Sequence, residues 1–247
     1  RFLLAAIPPR ADARDVFVCE QYWALHTLPM GGRIGTTSPR RRAQLLALRP
    51  DIAFIEINGN VDTRLRKLDA GLCDALVLAA AGLDRLHRAE SVHQRFAFDE
   101  LTPAPGQGAL ALETRAPHYT VFAEPDRDDS IRAAVAALDH PPTSFAVTAE
   151  RTTLDALGGG CQLPIGVHCA SLCDGESRLV AHHIHAQVVA PDGDQMVCLS
   201  TEVPPSIDPI ALGLQIAETL KSRGSLQLLS SIPAPTPSPQ RHAPAKP

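Results

Sequence analysis

Between Arg33 and Leu86 the apolar positions switch repeatedly between short continuous runs and one-sided helical spacing. "RIGTT" (33–37), "IAFIEI" (52–57) and "DALVLAA" (74–80) have the length and character of buried strands, and a helical pattern follows each. In "SPRRRAQLLALRP", Ser38 is placed to cap a helix that opens on Pro39 and ends before Pro50. In "NGNVDTRLRKLDAG", Asp62 is the expected cap, Leu65 and Leu68 face inward and Gly71 stops the helix. "AGLDRL" continues from the last strand as another helix. Strands alternating with helices across short connections predict a parallel sheet covered on both faces, whose ligands gather at the carboxyl ends of its strands.

The flanks follow other rhythms. Phe2 to Ile7 reads as a buried strand that ends in a proline turn. A strand with nothing before it is expected in the middle of a domain, so the chain reads as a fragment or the product of a truncated gene. "PAPGQGALALETRAPHYTV" (103–121) combines a glycine turn with an alternating strand and is expected to cross back to another domain. Residues 128–139 and 143–156 have helical spacing, with Ile131, Val135 and Leu138 on one face of the first and Phe145, Ala149 and Leu154 inward on the second. Strands are expected near 164–171, 178–190 and 195–203, separated by "CDGES" and "APDGDQ", whose Asp-Gly pairs suit hairpin turns. "PIALGLQIAETLKSRG" reads as a last helix ending at Gly224, and the proline-rich tail from Ser231 is expected to stay disordered.

Composition narrows the class. Hydrophobic residues make up 45% of the 247 and aromatic ones only 4%, so the core must be built mainly from Leu, Ala, Val and Ile, which suits layered α/β packing. No stretch approaches the roughly 18 uncharged apolar residues of a membrane span, and no signal segment opens the chain, so the expected compartment is the cytoplasm. The six cysteines are scattered through a chain too long to need disulfide staples and read mostly as reduced thiols. A net charge of −4 argues against general nucleic-acid binding.

Candidate chemistry then falls on a few positions. Arg40, Arg41, Arg64 and Arg85 all follow predicted strands and should project over one edge of the sheet, where planar guanidinium forks and helix N-termini suit a ligand with several carboxylates or phosphates. The alternative is that they are solvated helix charges, as expected for Arg42, Arg66 and Lys67. In "LGGGCQLPIG", Cys161 is either a buried structural thiol or a nucleophile presented on bare backbone. Cys169, Cys173, His182, His183 and His185 superficially suggest zinc, but Cys169 and Cys173 are expected on either side of a strand's end and the histidines alternate across a strand. "GQGALALE" lacks both the lysine and the spacing of a phosphate loop, so nucleotide binding is excluded there.

"GTTSPRRRAQL", "NGNVDTRLRKLDAG", "LAAAGLDRL", "GQGALALETR", "TAER" and "LGGGCQLPIG" occur in the order found in porphobilinogen deaminase, also called hydroxymethylbilane synthase, and the chain resembles that family from Phe2 to about Leu229. The resemblance implies two domains like periplasmic binding proteins, the first truncated here, and a small α/β C-terminal domain. It assigns residues 1–11 and 103–121 to a remnant of the first domain, 12–102 to a parallel α/β second domain and 122–230 to the cofactor-anchoring domain. The implied activity is the head-to-tail joining of four porphobilinogens with loss of ammonia to give hydroxymethylbilane, in tetrapyrrole and heme biosynthesis. A dipyrromethane cofactor is implied, attached by a thioether to Cys161, with Arg40, Arg41, Arg64, Arg85 and Ser38 binding acetate and propionate groups. A monomer that binds no metal, nucleic acid or membrane is expected.

This sequence also departs from the family pattern. The catalytic aspartate of the family lies in "HSxKDxP", which these residues do not contain, so no catalytic residue is assigned and the chain alone is expected not to make hydroxymethylbilane. Asn58 stands where the family has an arginine, Pro39 where it has an apolar residue and Gly158 where it has an acidic one. The alternative reading is a non-catalytic remnant that at most binds anionic pyrroles.

Overall fold

The computed structural model describes residues 2–116, 125–160 and 162–230. The chain opens with β1 (Phe2–Ala6) and returns to it, more than a hundred residues later, with β7 (Leu112–Arg115). The two pair antiparallel, Phe2 opposite Arg115 and Leu3 opposite Thr114. The buried strand expected here is in fact half open: Phe2 is 68% and Leu4 43% exposed. Among the described residues β1 pairs only with β7, and a two-stranded ribbon cannot cover both of its faces.

Inserted between these strands is a five-stranded sheet in the order β4-β3-β5-β2-β6, made of β2 (Asp15–Val18), β3 (Arg33–Gly35), β4 (Ala53–Ile55), β5 (Ala75–Ala79) and β6 (Gln94–Arg95). β3 runs parallel to both β4 and β5, as the alternating pattern predicts. β2 lies antiparallel to β5 and to β6, so the sheet is mixed rather than wholly parallel. All four residues of β2, Asp-Val-Phe-Val, are buried because the strand is covered on both faces. Phe17 packs on one side with Ile34, Leu45 of α1 (Pro39–Leu48) and Val77. Val16 and Val18 pack on the other with Leu68 of α2 (Val61–Asp69) and Leu83 of α3 (Ala80–Arg85). α1 starts as expected, with Pro39 in its first turn and the Ser38 side chain accepting from Arg41 N. α2 does not: its cap is Asn60, whose side chain accepts from Thr63 N, and Asp62 sits inside the first turn.

The third layer set follows α4 (Pro125–Ala136), on which Ile131 is exposed, as is Leu138 just beyond it. α5 (Pro141–Ala156) leads into an antiparallel sheet of order β10-β9-β8, formed by β8 (Ile165–Cys173), β9 (Leu179–Val189) and β10 (Met196–Val203). α6 (Pro209–Ser222) and α7 (Ser225–Ser230) complete it, the last being a short helix the sequence pattern does not announce. Side chains alternate across a strand. Val167, Cys169, Ile184, Ala186 and Val188 therefore face α5 and α6 in one apolar core, while His168 and Gln187 face the five-stranded unit, where His168 stacks on Phe98 with ring centroids 3.7 Å apart and Gln187 Oε1 accepts from Thr102 Oγ1.

The three parts are tied by one buried carboxylate, Glu150 of α5. Arg10 approaches it bidentately, Nη1 to Oε1 at 2.6 Å and Nη2 to Oε2 at 3.1 Å. The backbone N–H of Gly106 in the returning crossing and of Cys169 in β8 donate to the same carboxylate. Burial pushes the Glu150 carboxyl up, and the Arg10 charge and the two backbone donors oppose that shift.

His168 makes stability depend on pH. Burial holds its pKa down to about 3, the charges of Arg10, His183 and His185 add to the depression and Asp12 opposes it. Between about 3 and 6.5 the unfolded chain binds a proton at this position and the folded chain does not, so stability falls as pH falls through that window. The expected slope from this group is about 1.4 kcal/mol per pH unit. His168→Phe, which keeps the stack on Phe98, should flatten the profile measured by denaturant unfolding across that range; an unchanged slope would contradict the assignment.

Candidate functional site

The carboxyl ends of β3 and β5 open onto the start of α1 and α3, and β2 enters the same edge from the opposite direction, since Asp15 pairs with Ala79. Asp15 is 0% exposed, yet it faces two guanidinium groups. Arg41 donates to Oδ1 through Nε at 3.0 Å and Nη2 at 2.7 Å. Arg40 Nη1 lies 2.7 Å from Oδ2 and also donates to Thr102 O at 2.6 Å. Burial alone would raise the Asp15 carboxyl, but the two arginine charges outweigh it and hold it below the ordinary carboxylate range. Burial acts on Arg40 in the opposite sense and lowers it. Two cations against one anion leave a surplus positive charge in a buried position, and Arg40 Nε has no hydrogen-bond partner.

The four arginines expected over the sheet edge thus divide. Arg40 and Arg41 are 4% and 9% exposed and turn inward to Asp15 rather than outward to solvent. Arg64 and Arg85 sit at the rim. Arg64, half-buried in the first turn of α2, donates through Nε to Gly59 O at 2.8 Å. Burial lowers its pKa and the nearby Arg41 charge lowers it further, which places the two guanidiniums in one electrostatic environment. Arg85 at the end of α3 donates through Nη2 to Gly108 O at 2.8 Å. Nη1 of Arg41, both Nη groups of Arg64 and Nη1 of Arg85 make no hydrogen bond among the described residues, leaving donors for an incoming carboxylate.

Other candidates separate on inspection. Ser38 caps α1, its Oγ accepting from Arg41 N, and its N–H donates to Thr36 Oγ1. Arg42 lies over the Phe54 ring and Lys67 Nζ donates to the Asn58 carbonyl, so both are accounted for by local contacts. Cys169 and Cys173 lie within one strand, β8, not on either side of its end; the first is buried and the second exposed. The pleat parts the histidines: His182 turns to the helix side and stacks on Phe145, whereas His183 bonds Ser200 Oγ on the other face. Among the described residues no three His, Cys, Asp or Glu side chains converge on a metal position. No described helix is long and apolar enough to cross a membrane.

Cys161 lies outside the described residues, as does the tail from Ser231. Gly158, Gly159 and Gly160 before it have φ of +104°, +53° and +129°, so the loop after α5 follows a path that side-chain-bearing residues rarely adopt. A side-chain-bearing residue at 158 would be strained in this conformation.

Sequence reasoning missed Asp15 and Gln107. Asp15 reads as one charge at the head of a short apolar run, and Gln107 lies in a glycine turn set aside for lacking phosphate-loop spacing. The retrievable signal was the pairing problem itself: two adjacent arginines at a helix start require a buried acid once that helix packs on a sheet.

Comparison with known proteins gives the family. The family model "Porphobilinogen deaminase, dipyromethane cofactor binding domain" matches residues 1–122, and "Porphobilinogen deaminase, C-terminal domain" matches 144–222. Among curated relatives, the porphobilinogen deaminase of Brevibacillus brevis is 40% identical over 93% of this chain and 69% of its own length. The porphobilinogen deaminase of Thermobifida fusca is 41% identical over 94% of this chain and 70% of its own, and that of Chromobacterium violaceum is 42% identical over 94% and 69%. With both parts of the fold matched and identity sustained across nearly all of its residues, the chain belongs to the porphobilinogen deaminase family.

Proposed function

We propose that the arginine cluster on the edge of the five-stranded sheet binds the acetate and propionate groups of pyrroles during hydroxymethylbilane synthesis, the family's condensation of porphobilinogen with release of ammonia. The observation that carries the reading is the surplus charge beside Asp15: Arg40 and Arg41 share one carboxylate, and the rim arginines keep unpartnered donors. A ligand bearing several carboxylates supplies the anions this site lacks.

The family's dipyrromethane cofactor fits the same residues. The unpartnered Arg40 Nε marks a buried cationic surface, and Arg41, Arg64 and Arg85 offer guanidinium edges suited to carboxylates. Cys161 is the proposed thioether anchor, and Ser38 acts by fixing the start of α1 on which Arg40 and Arg41 are carried. When bound, dipyrromethane supplies the nucleophilic pyrrole carbon from which the chain of rings is extended.

The protein's own part is to bind and orient. Arg41, locked to Asp15 at two nitrogens, offers its remaining Nη1 in a fixed direction, so little ordering is required when a carboxylate arrives. Arg64 and Arg85 are each held at one nitrogen and can fork onto further carboxylates. The burial of Asp15 and Arg40 keeps water from screening the charge beneath the ligand. The proposal extends to a monomer in the cytoplasm; the buried free thiols Cys19, Cys73 and Cys169 suit a reducing compartment.

Incubated with porphobilinogen together with a separate polypeptide that carries the family's "HSxKDxP" segment, the 247-residue chain should gain the mass of one dipyrromethane by intact-mass spectrometry, and Cys161→Ser should abolish the gain. Incubated alone, it should bind pyrrole without releasing hydroxymethylbilane; clear turnover would overturn that expectation. An unchanged mass of the unmodified chain would remove Cys161 as the anchor. Separately, Arg64→Gln should weaken porphobilinogen binding about tenfold in calorimetry, the loss expected of one charge-assisted pair. Unaltered affinity would exclude Arg64 from the site.

A further inference from the structure

The "GQGA" turn, which does not fit phosphate binding, is where the crossing back from the five-stranded unit meets the arginine cluster. Its backbone is closed by Gln107 N donating to Ala104 O at 2.9 Å and by Ala11 N donating to Gly108 O at 3.2 Å. Gly108 has φ of +83°, and a Cβ there would stand 2.8 Å from Ala11 O, so the turn is held against the outgoing crossing by a contact only glycine permits. This fixes where the Gln107 side chain goes. Its Nε2 donates to Ala13 O at 2.7 Å and to Asp15 Oδ1 at 3.0 Å, and its Oε1 accepts from Arg40 Nη2 at 3.3 Å.

The Gln107 amide meets both demands without changing the charge. It donates to the carboxylate and accepts from the guanidinium at once. A carboxylate at this position would face Asp15 oxygen to oxygen and cancel the surplus positive charge. An apolar side chain would leave Arg40 Nη2 and one side of Asp15 unsupported in a buried setting.

We propose that Gln107 is a positioning residue for anion binding: by clamping Asp15 and Arg40 together it keeps one carboxylate between two guanidiniums and so holds Arg41 ready for a pyrrole carboxylate. The inference rests on the functional reading above and deepens it, because it names what preserves the site's charge. Arg85, which donates to the neighbouring Gly108 carbonyl, ties the rim of the site to the same turn.

The test is calorimetric binding of porphobilinogen to the 247-residue chain at several salt concentrations, with thermal unfolding measured alongside. Gln107→Met keeps the side-chain length and removes all three side-chain hydrogen bonds; affinity should fall about tenfold. Gln107→Glu keeps an acceptor for Arg40 but neutralises the surplus charge, so affinity should fall further and its dependence on salt should flatten. Leu220→Ala, a cavity in the apolar core beneath α6, serves as a control that lowers stability while leaving affinity at the wild-type value. Wild-type affinity and salt dependence in Gln107→Glu would overturn the inference while leaving the functional reading intact. Affinity losses that simply follow melting temperature in all three variants would also overturn it. A wild-type chain that does not bind porphobilinogen would overturn the functional reading and this inference together.

Discussion

A carboxylate with no access to water decides how the parts of this chain sit together. Glu150 takes donors from the arginine that leaves the ribbon, from the glycine turn that returns to it and from the middle of β8. Removing one partner from such a group leaves an uncompensated buried charge, a loss of about 3–5 kcal/mol. The penalty acts as a geometric rule. All three segments must arrive within hydrogen-bond reach of one side chain on α5, so their relative placement is fixed by a charge rather than by apolar contact alone.

The arginine site inherits that rule. Arg10, paired to Glu150 through both Nη groups, uses its Nε on the carbonyl of Gln107. Gln107 in turn reaches Asp15 and Arg40. The path from the ion pair that assembles the three parts to the cluster that faces the ligand is therefore continuous and short. A second contact reinforces it: Thr102 O takes Arg40 and Gln44, and Thr102 Oγ1 meets Gln187 of β9. The ligand-binding edge and the antiparallel sheet are thus braced by the same residues.

What could be read from the sequence followed from local rules. Ser38, Pro39 and Pro50 bracket α1 because caps and proline constraints act over a few residues, and the strands of the antiparallel sheet were legible because short Asp-Gly turns separate them. The exceptions all depend on distant partners. The open face of β1 depends on how many strands pair with it, the reversed direction of β2 on where the first crossing enters the sheet, and the inward turn of Arg40 on an acid 25 positions earlier in the chain. Asn60 displacing Asp62 as the α2 cap is a milder case, since both side chains can cap and the choice falls to where Gly59 turns the backbone.

The pairing of Phe2 with Arg115 sets an order of events during folding. Zipping β1 to β7 from an unfolded chain means closing a loop that contains every residue of the five-stranded sheet, at an entropic cost that grows with the logarithm of that length. Once that sheet has formed, its two crossings lie side by side, joined by Ala11 N to Gly108 O, and the loop left to close has almost no length. The ribbon is therefore closed at least entropic cost once the sheet between its strands is in place.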